Sequence, residues 1–277
     1  MTDVSLISFA DKRLIAARRR FVRQAKTLES FDHIRVWSED DLIKVTSPKC
    51  SVFWRETYRG FGFWSWKPFL ILHELQQRRA DIVVYADIGF HLITAGSINL
   101  SSYLDEVSFD KPLLLFSNSV SADSDLPKPE GQLSWPNHNY IKYETLKYFK
   151  LNRDTSFLSA EQITGGLLVI KNTEEIIRFY EKFCLIIEKN FELIDDSLEK
   201  ISQLPEFKDH RHDQAVFNCL LKSEGVNFSV RSNNEMYYPR LDGKSDWSMI
   251  RDYPFHARRD LGIYRKLIGF FKYLKNK

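Results

Sequence analysis

Cysteine is scarce in this sequence, and long apolar runs are missing. The three cysteines, Cys50, Cys184 and Cys219, lie far apart and lack the paired spacing of a zinc site or a disulfide framework, so we expect buried thiols. No stretch of about 20 apolar residues is present that could span a membrane as a helix. Residues 1–10 contain neither a basic leader nor a small-residue cleavage site. We therefore expect a cytoplasmic protein.

A large excess of charge of one sign is also lacking, because the formal net charge is only +3. The charge is unevenly distributed, however. Residues 258–277 contain seven basic residues and one aspartate, a local charge of +6, which leaves about −3 for the remainder. A nucleic-acid-binding domain normally spreads its basic patch over a folded face. We therefore expect no nucleic-acid partner, and we divide the chain into a domain at 1–257 and a tail at 258–277.

The tail has the pattern of a basic amphipathic helix. Its apolar residues share one helical face: Ile263, Leu267, Phe270, Phe271 and Leu274. Such a helix lies in the interface of a membrane, where each basic residue near anionic lipid contributes about 1 kcal/mol. We therefore expect the tail to bind an anionic membrane surface, which would place the protein peripherally on the inner face of the membrane. The alternative is a helix docked on the protein itself.

The body of the chain predicts an α/β fold. With 277 residues and 43% hydrophobic content it can bury a full core. A strand at 4–9 is followed by a helical apolar pattern, which is the usual start of a nucleotide-binding α/β domain. Residues 81–87 form a nearly continuous apolar run, typical of a strand buried on both faces of a parallel sheet. We expect a mixed, mostly parallel sheet flanked by helices.

The end of that run supplies the first candidate site residue, Asp87. Functional residues in open α/β sheets gather at the carboxyl ends of strands. Asp87 is followed by Gly89, where a ligand can approach the backbone closely, so the carboxylate is well placed to hold a divalent cation against a diphosphate. The alternative is an aspartate that caps a turn or the next helix.

Two other segments carry candidate chemistry. Lys67 precedes Pro68 at a predicted helix start and can neutralise phosphate, while the ring of Trp64 can stack on a sugar or a base. In the segment 210–218, Asp213 lies at a helix start and Gln214 shares a helical face with Asn218. The alternatives are core aromatic residues in the first segment and an N-capping aspartate in the second.

These motifs resemble those of GT-A glycosyltransferases. Tyr85 to Gly89 resembles the metal-binding Asp-x-Asp strand of that superfamily, although Gly89 replaces the second acid. Asp213-Gln214 is similar to the Asp-Gln pair of retaining enzymes related to glycosyltransferase family 8, and the strand at 165–172 resembles that family's small-residue strand. The run 60–68, with its Trp-Lys-Pro end, also resembles uncharacterised bacterial glycosyltransferases of surface-polysaccharide and lipopolysaccharide assembly.

The resemblance implies a GT-A fold and transfer of a sugar from a nucleoside diphosphate donor, expected to be a UDP-sugar, to a glycan or glycolipid acceptor. It implies a Mn²⁺ or Mg²⁺ cofactor held by Asp87 and His256, and catalysis with retention by Asp213 and Gln214. The implied donor contacts are Phe9, Ala10, Asp11, Trp64, Lys67, Asp87, Ile88, Gly89, Gly165, Gly166 and Arg259. The implied acceptor contacts are His210, Arg211 and His212.

Three alternatives stay open at the level of the sequence. In an inverting enzyme, Asp213 would instead deprotonate the acceptor hydroxyl. The glycine at the second acidic position also allows a protein that binds carbohydrate or nucleotide-sugar without turnover. A metal-dependent hydrolase would use Asp87, His210, His212 and His256.

Overall fold

A computed structural model describes residues 2–46, 48–118, 126–198 and 202–258. The strands are β1 Val4–Phe9, β2 His33–Trp37, β3 Ile82–Ala86, β4 His91–Leu92, β5 Leu113–Ser117, β6 Leu167–Lys171, β7 Phe228–Ser232 and β8 Phe255–His256. The helices are α1 Ile15–Leu28, α2 Glu39–Val45, α3 Gly60–Phe63, α4 Lys67–Gln77, α5 Ser97–Glu106, α6 Asn137–Tyr140, α7 Tyr143–Tyr148, α8 Thr155–Ser159, α9 Glu174–Lys189 and α10 His212–Glu224. Arg259 and the predicted tail helix lie outside the described residues.

Six strands form the central sheet in the order β2-β1-β3-β6-β5-β7. The pairs β1–β2, β1–β3 and β5–β7 are parallel, whereas β6 runs antiparallel to both of its neighbours. The predicted mixed, mostly parallel sheet flanked by helices is therefore confirmed. Strands β4 and β8 form a separate antiparallel pair that places His256 opposite His91.

Strand β3 shows why the sheet is covered on both faces. Its five residues are all buried, and alternate side chains enter two different apolar clusters. Val83 and Tyr85 pack in the cluster formed with α4, α9 and α10, while Val84 packs in the cluster formed with α1 and α5. The apolar run that predicted a strand buried on both faces is confirmed. Among the described residues, no helix combines the length and hydropathy needed to cross a membrane.

The reversed direction of β6 positions the candidate site. Because β6 is antiparallel, its beginning lies at the same edge of the sheet as the ends of β3 and β5. The backbone N–H of Asp87 donates to the carbonyl of Gly166 at 2.8 Å, and the N–H of Thr164 donates to the carbonyl of Phe116 at 2.8 Å. The glycine pair at 165–166 therefore adjoins Asp87.

Candidate functional site

Lys67 is the centre of a buried charge cluster. Its side chain is 8% exposed, and Nζ lies 2.7 Å from Oδ2 of Asp213 and 3.9 Å from Oδ1 of Asp87. The ammonium also donates to the carbonyl of Gly165 at 2.8 Å and lies 5.1 Å from the ring centroid of Tyr85. Lysine is rarely buried without a partner, and here two carboxylates and a carbonyl satisfy it. Three segments far apart in sequence therefore meet at one ammonium group.

The short segment α3, together with Trp64, is a left-handed turn and not a regular right-handed helix, and it leads into α4 and brings Lys67 to this position. The backbone angle φ is positive at five successive residues, 60–64, including Phe61, Phe63 and Trp64. Left-handed conformations cost roughly 1–2 kcal/mol per residue that has a side chain, and such strain persists only where the surrounding structure holds it. Gly62 has no such cost, and a Cβ there would lie 2.4 Å from the carbonyl oxygen of Phe53. Strain of this kind is concentrated at functional sites.

Asp87 is the solvent-exposed carboxylate of the cluster. It follows β3 directly, and its side chain is 41% exposed. The Tyr85 hydroxyl donates to Oδ1 at 2.6 Å. Burial, followed by the charge of Asp87, raises the pKa of the Tyr85 phenol well above its ordinary value, so the phenol stays protonated and donates. Tyr85 was not among the predicted site residues, although its position two residues before Asp87 places both on one face of the strand.

Asp213 is the buried carboxylate of the cluster. It is the second residue of α10 and does not cap the helix, because the N-cap residue is Arg211. Its side chain is 9% exposed, and burial raises the pKa of Asp213 to about 6 even though Lys67 acts in the opposite direction. For Lys67 the opposing effects are burial, which lowers the pKa, and the charges of Asp213 and Asp87, which raise it above the ordinary value. Lys67 therefore stays charged at neutral pH.

Gly165 and Gly166 leave room for these charged groups. A Cβ on Gly165 would lie 3.2 Å from Nζ of Lys67, and a Cβ on Gly166 would lie 3.2 Å from Oδ2 of Asp87. Both distances are shorter than an ordinary van der Waals contact. A side chain at either position would therefore force the neighbouring charged group to shift by a few tenths of an ångström.

Gln214 links the cluster to the segment before β6. Its Oε1 accepts from the backbone N–H of Gly165 at 3.1 Å, and its Nε2 donates to Oε1 of Gln162 at 2.7 Å. One turn later, Asn218 accepts from the N–H of Ile163 at 2.8 Å and donates to its carbonyl at 2.9 Å. The predicted shared face of Gln214 and Asn218 therefore holds α10 against residues 162–165. No signal in the sequence pointed to Gln162.

Two of the predicted acceptor residues, His210 and His212, are buried away from solvent. Nε2 of His210 lies 2.9 Å from the carbonyl of Leu193, and Nδ1 of His212 lies 2.8 Å from that of Ile194. Burial lowers the pKa of both imidazoles, so both are neutral at pH 7. This placement does not support an acceptor contact or a metal-ligand role for either histidine. Arg211 between them is partly exposed.

His256 does not fit its predicted role as a metal ligand. The residue is 1% exposed, Nε2 lies 2.7 Å from the carbonyl of Ile250, and Nδ1 lies 3.2 Å from the guanidinium of Arg258. In the described part of the chain, no group of three or more His, Cys, Asp or Glu residues is arranged to hold a metal ion. Asp87 alone still fits a divalent cation, because Mg²⁺ is usually held by one or two carboxylates together with substrate phosphates.

The remaining predicted donor contacts line the ends of β1 and β3. Phe9 is buried with its ring 4.1 Å from that of Trp66, and the backbone N–H of Ala10 donates to Trp37. The buried carboxylate of Asp11 accepts from the backbone N–H of Arg13 at 2.9 Å. These contacts hold the end of β1.

The last three predicted donor contacts are Ile88, Gly89 and Trp64. Ile88 is buried, and its carbonyl accepts from Arg20 at 2.8 Å, while Gly89 is partly exposed in the turn after Asp87. Trp64 is partly buried with its ring 5.7 Å from that of His212. None of these residues contributes another charge to the cluster.

Comparison with known proteins supports the fold. No protein-family model matches the sequence, and no curated protein matches it. The structure is similar to that of a glycosyltransferase involved in the glycosylation of the major capsid of PBCV-1, with a TM-score of 0.50, 10% identity, and coverage of 98% of this chain and 99% of that chain. This chain therefore shares the fold of that glycosyltransferase.

Weaker similarities accompany that match. Mouse xyloside xylosyltransferase 1 in its apo form gives a TM-score of 0.44 with 11% identity, over 84% of this chain and 86% of that chain. The apo form of the glycosyltransferase GlyE from Streptococcus pneumoniae gives a TM-score of 0.42 with 12% identity, over 84% of this chain and 46% of that chain. The predicted relation to family 8 stays a prediction.

Proposed function

We propose that this chain is a glycosyltransferase that moves a sugar from a nucleoside diphosphate donor, expected to be a UDP-sugar, to a hydroxyl of a glycan or glycolipid acceptor. The observation that carries the proposal is the cluster of Lys67, Asp87 and Asp213 at the carboxyl edge of a sheet with a glycosyltransferase fold. Ligands of open α/β sheets bind at this edge.

The charges of the cluster favour a diphosphate together with a cation. Lys67 faces two carboxylates, so the three groups together carry a net charge of −1 when both acids are ionised. An anionic diphosphate therefore requires further positive charge at the exposed carboxylate of Asp87. A Mn²⁺ or Mg²⁺ ion bound there would neutralise the charge that develops on the departing diphosphate.

The chain's own residues divide the remaining work. Asp213 fixes the ammonium of Lys67, which neutralises charge on the phosphate side, and Gly165 and Gly166 let the donor approach the backbone. Gln214 is partly exposed and tied to Gly165, so we assign it the position beside the reacting carbon of the sugar. We also propose that the transfer retains the anomeric configuration of the sugar. A general base must reach the proton that it removes, and the buried ion pair of Asp213 does not favour that role in an inverting enzyme.

The resemblance of residues 60–68 supports an acceptor of bacterial surface-polysaccharide or lipopolysaccharide assembly, and the basic tail supports attachment to an anionic membrane. Deletion of residues 261–277 should release the protein from vesicles containing anionic lipid without loss of activity on a soluble acceptor. Unchanged vesicle binding by the truncated protein would contradict the proposed role of the tail.

The proposed function is tested by ligand-induced stabilisation and a donor screen. UDP with Mn²⁺ should raise the melting temperature, and one nucleotide-sugar of a panel should be hydrolysed slowly in the absence of acceptor. If no nucleoside diphosphate stabilises the protein, the proposal fails. Stabilisation without hydrolysis or transfer of any donor would instead favour a carbohydrate-binding or nucleotide-sugar-binding protein without turnover. The metal-dependent hydrolase is not proposed, because His210, His212 and His256 are engaged elsewhere.

A further inference from the structure

Arg211 is a partly exposed cation that contacts two aromatic rings, which also contact each other edge to face. Its guanidinium carbon lies 5.4 Å from the ring centroid of Trp135 and 4.9 Å from that of Tyr140. Its backbone N–H donates to the carbonyl of Tyr140 at 3.1 Å, which fixes the residue at the start of α10. Cation–π contacts of this kind contribute about 0.5–2 kcal/mol and hold the side chain in one orientation.

Within the described ranges, the guanidinium of Arg211 has no carboxylate partner and no side-chain hydrogen bond. Other arginines of the same fold are paired, such as Arg59 with Asp209 and Arg231 with Glu106. The aromatic rings orient the guanidinium but do not satisfy its five N–H donors. This planar fork matches the oxygen atoms of a carboxylate or a phosphate.

Arg211 is connected to the charge cluster through a short chain of contacts. Trp135 accepts through its carbonyl from the N–H of Gln162 at 2.9 Å, and Gln162 accepts from Gln214 at 2.7 Å. Gln214 in turn accepts from Gly165, whose carbonyl binds Lys67. Arg211 is therefore joined to the amide nitrogen of Gln214 through Gln162, whereas the proposed diphosphate site is joined to the amide oxygen through Gly165.

A second polar group beside Gln214 is left without a partner. Gln162 is 1% exposed, and its Nε2 has no hydrogen-bond partner among the described residues. A buried donor without a partner costs about 1–3 kcal/mol, so Gln162 carries one unused donor next to Gln214. An unpaired cation and an unpaired donor thus belong to the same chain of contacts that ends at Gln214.

Resting on the proposed function, we propose that Arg211, oriented by Trp135 and Tyr140, binds an anionic group of the acceptor. The acceptor class is then a glycan or glycolipid that carries a phosphate or a carboxylate near the accepting hydroxyl. Two sources of this charge are possible, a sugar phosphate and a uronic acid, and the same guanidinium fork would bind either one.

The test measures binding of small probes to the full chain saturated with UDP and Mn²⁺, so that the diphosphate site is filled. The probes are glucose 1-phosphate, glucuronate and neutral methyl glucoside. We expect at least one charged probe to bind about tenfold more tightly than methyl glucoside. A larger gain for glucose 1-phosphate assigns a phosphorylated acceptor, and a larger gain for glucuronate assigns a uronic acid.

The variant Arg211→Met should remove this preference and change the Kd of UDP less than twofold, while Arg211→Lys should keep part of it. The matched control is Arg35→Met, because Arg35 also stacks on a tryptophan, with its guanidinium carbon 3.3 Å from the ring centroid of Trp37 on edge strand β2. Equal or undetectable binding of all probes to the wild-type protein would overturn the proposal, as would equal loss in the control. Failure of UDP to bind the wild-type protein would contradict the proposed function instead.

Discussion

Nζ of Lys67 and Oδ2 of Asp213 lie 2.7 Å apart, and both side chains are almost completely buried. The pair joins the first residue of α4 to the second residue of α10, so it positions the ammonium through two helix starts at once. Removing one partner of a buried ion pair costs about 3–5 kcal/mol, whereas replacing both partners by apolar residues is often neutral. This difference separates the structural role of Lys67 from its proposed role in donor binding.

Lys67→Met should lower the unfolding free energy by about 3–5 kcal/mol, because Asp213 remains buried without its partner. The double variant Lys67→Met with Asp213→Leu should recover most of that stability in urea unfolding but should not recover donor hydrolysis. An exposed pair provides the control, since Lys182→Met should change stability by less than about 1 kcal/mol. Recovery of turnover in the double variant would show that Lys67 is only structural.

Asp87→Asn should abolish the stabilisation that Mn²⁺ adds to UDP binding and reduce turnover at least about a hundredfold, because one exposed carboxylate is the proposed protein ligand of the cation. The melting temperature without ligand should hardly change, since the side chain is 41% exposed. The control is Asp81→Asn, which alters a carboxylate just before β3, at the strand end opposite Asp87. Near-normal turnover of Asp87→Asn would rule out the proposed site.

Gly166→Ala should reduce turnover about tenfold or more with little loss of stability. The added Cβ would lie 3.2 Å from Oδ2 of Asp87, so the carboxylate must move, and small displacements of catalytic groups are costly. Gly243→Ala is the opposite case, because φ is +74° and nothing lies within 4 Å of the added Cβ. That variant should lose about 1 kcal/mol of stability and keep full activity. Equal turnover in the two variants would contradict the proposed close approach at Gly166.

The sequence predicted the elements that follow from local patterns. The structure contains both the strand before Asp87 and the helix that begins at His212. Both could be predicted because burial on two faces and helical spacing depend on residues that are close together in the sequence. The left-handed turn at 60–64 could not be predicted, since its strain is sustained by tertiary packing around Phe53 and Trp64. Local patterns carry no information on such packing.

The candidate site was predicted in part for the same reason. Lys67, Asp87 and Asp213 were singled out one by one, but their meeting depends on the reversed strand β6 and on contacts between distant segments. The burial of His210 and His212 depends on two backbone carbonyls at 193 and 194 that the sequence around the histidines does not indicate. Tyr85 could have been found from strand alternation, because it shares a face with Asp87.

The pH dependence of stability tests the burial of Asp213. Its folded-state pKa is raised from the ordinary 3.8 to about 6, so the folded protein holds this proton more tightly than the unfolded chain. The stabilising contribution of the protonated group is therefore present below about pH 4 and is lost as the pH rises through about 6. Urea unfolding measures this contribution as the unfolding free energy of the wild-type protein minus that of Asp213→Asn. This difference should fall as the pH rises from about 4 to about 6. If this difference in unfolding free energy stays constant from pH 4 to pH 7, Asp213 titrates as an ordinary solvated acid. The buried pair would then no longer explain how Lys67 is positioned.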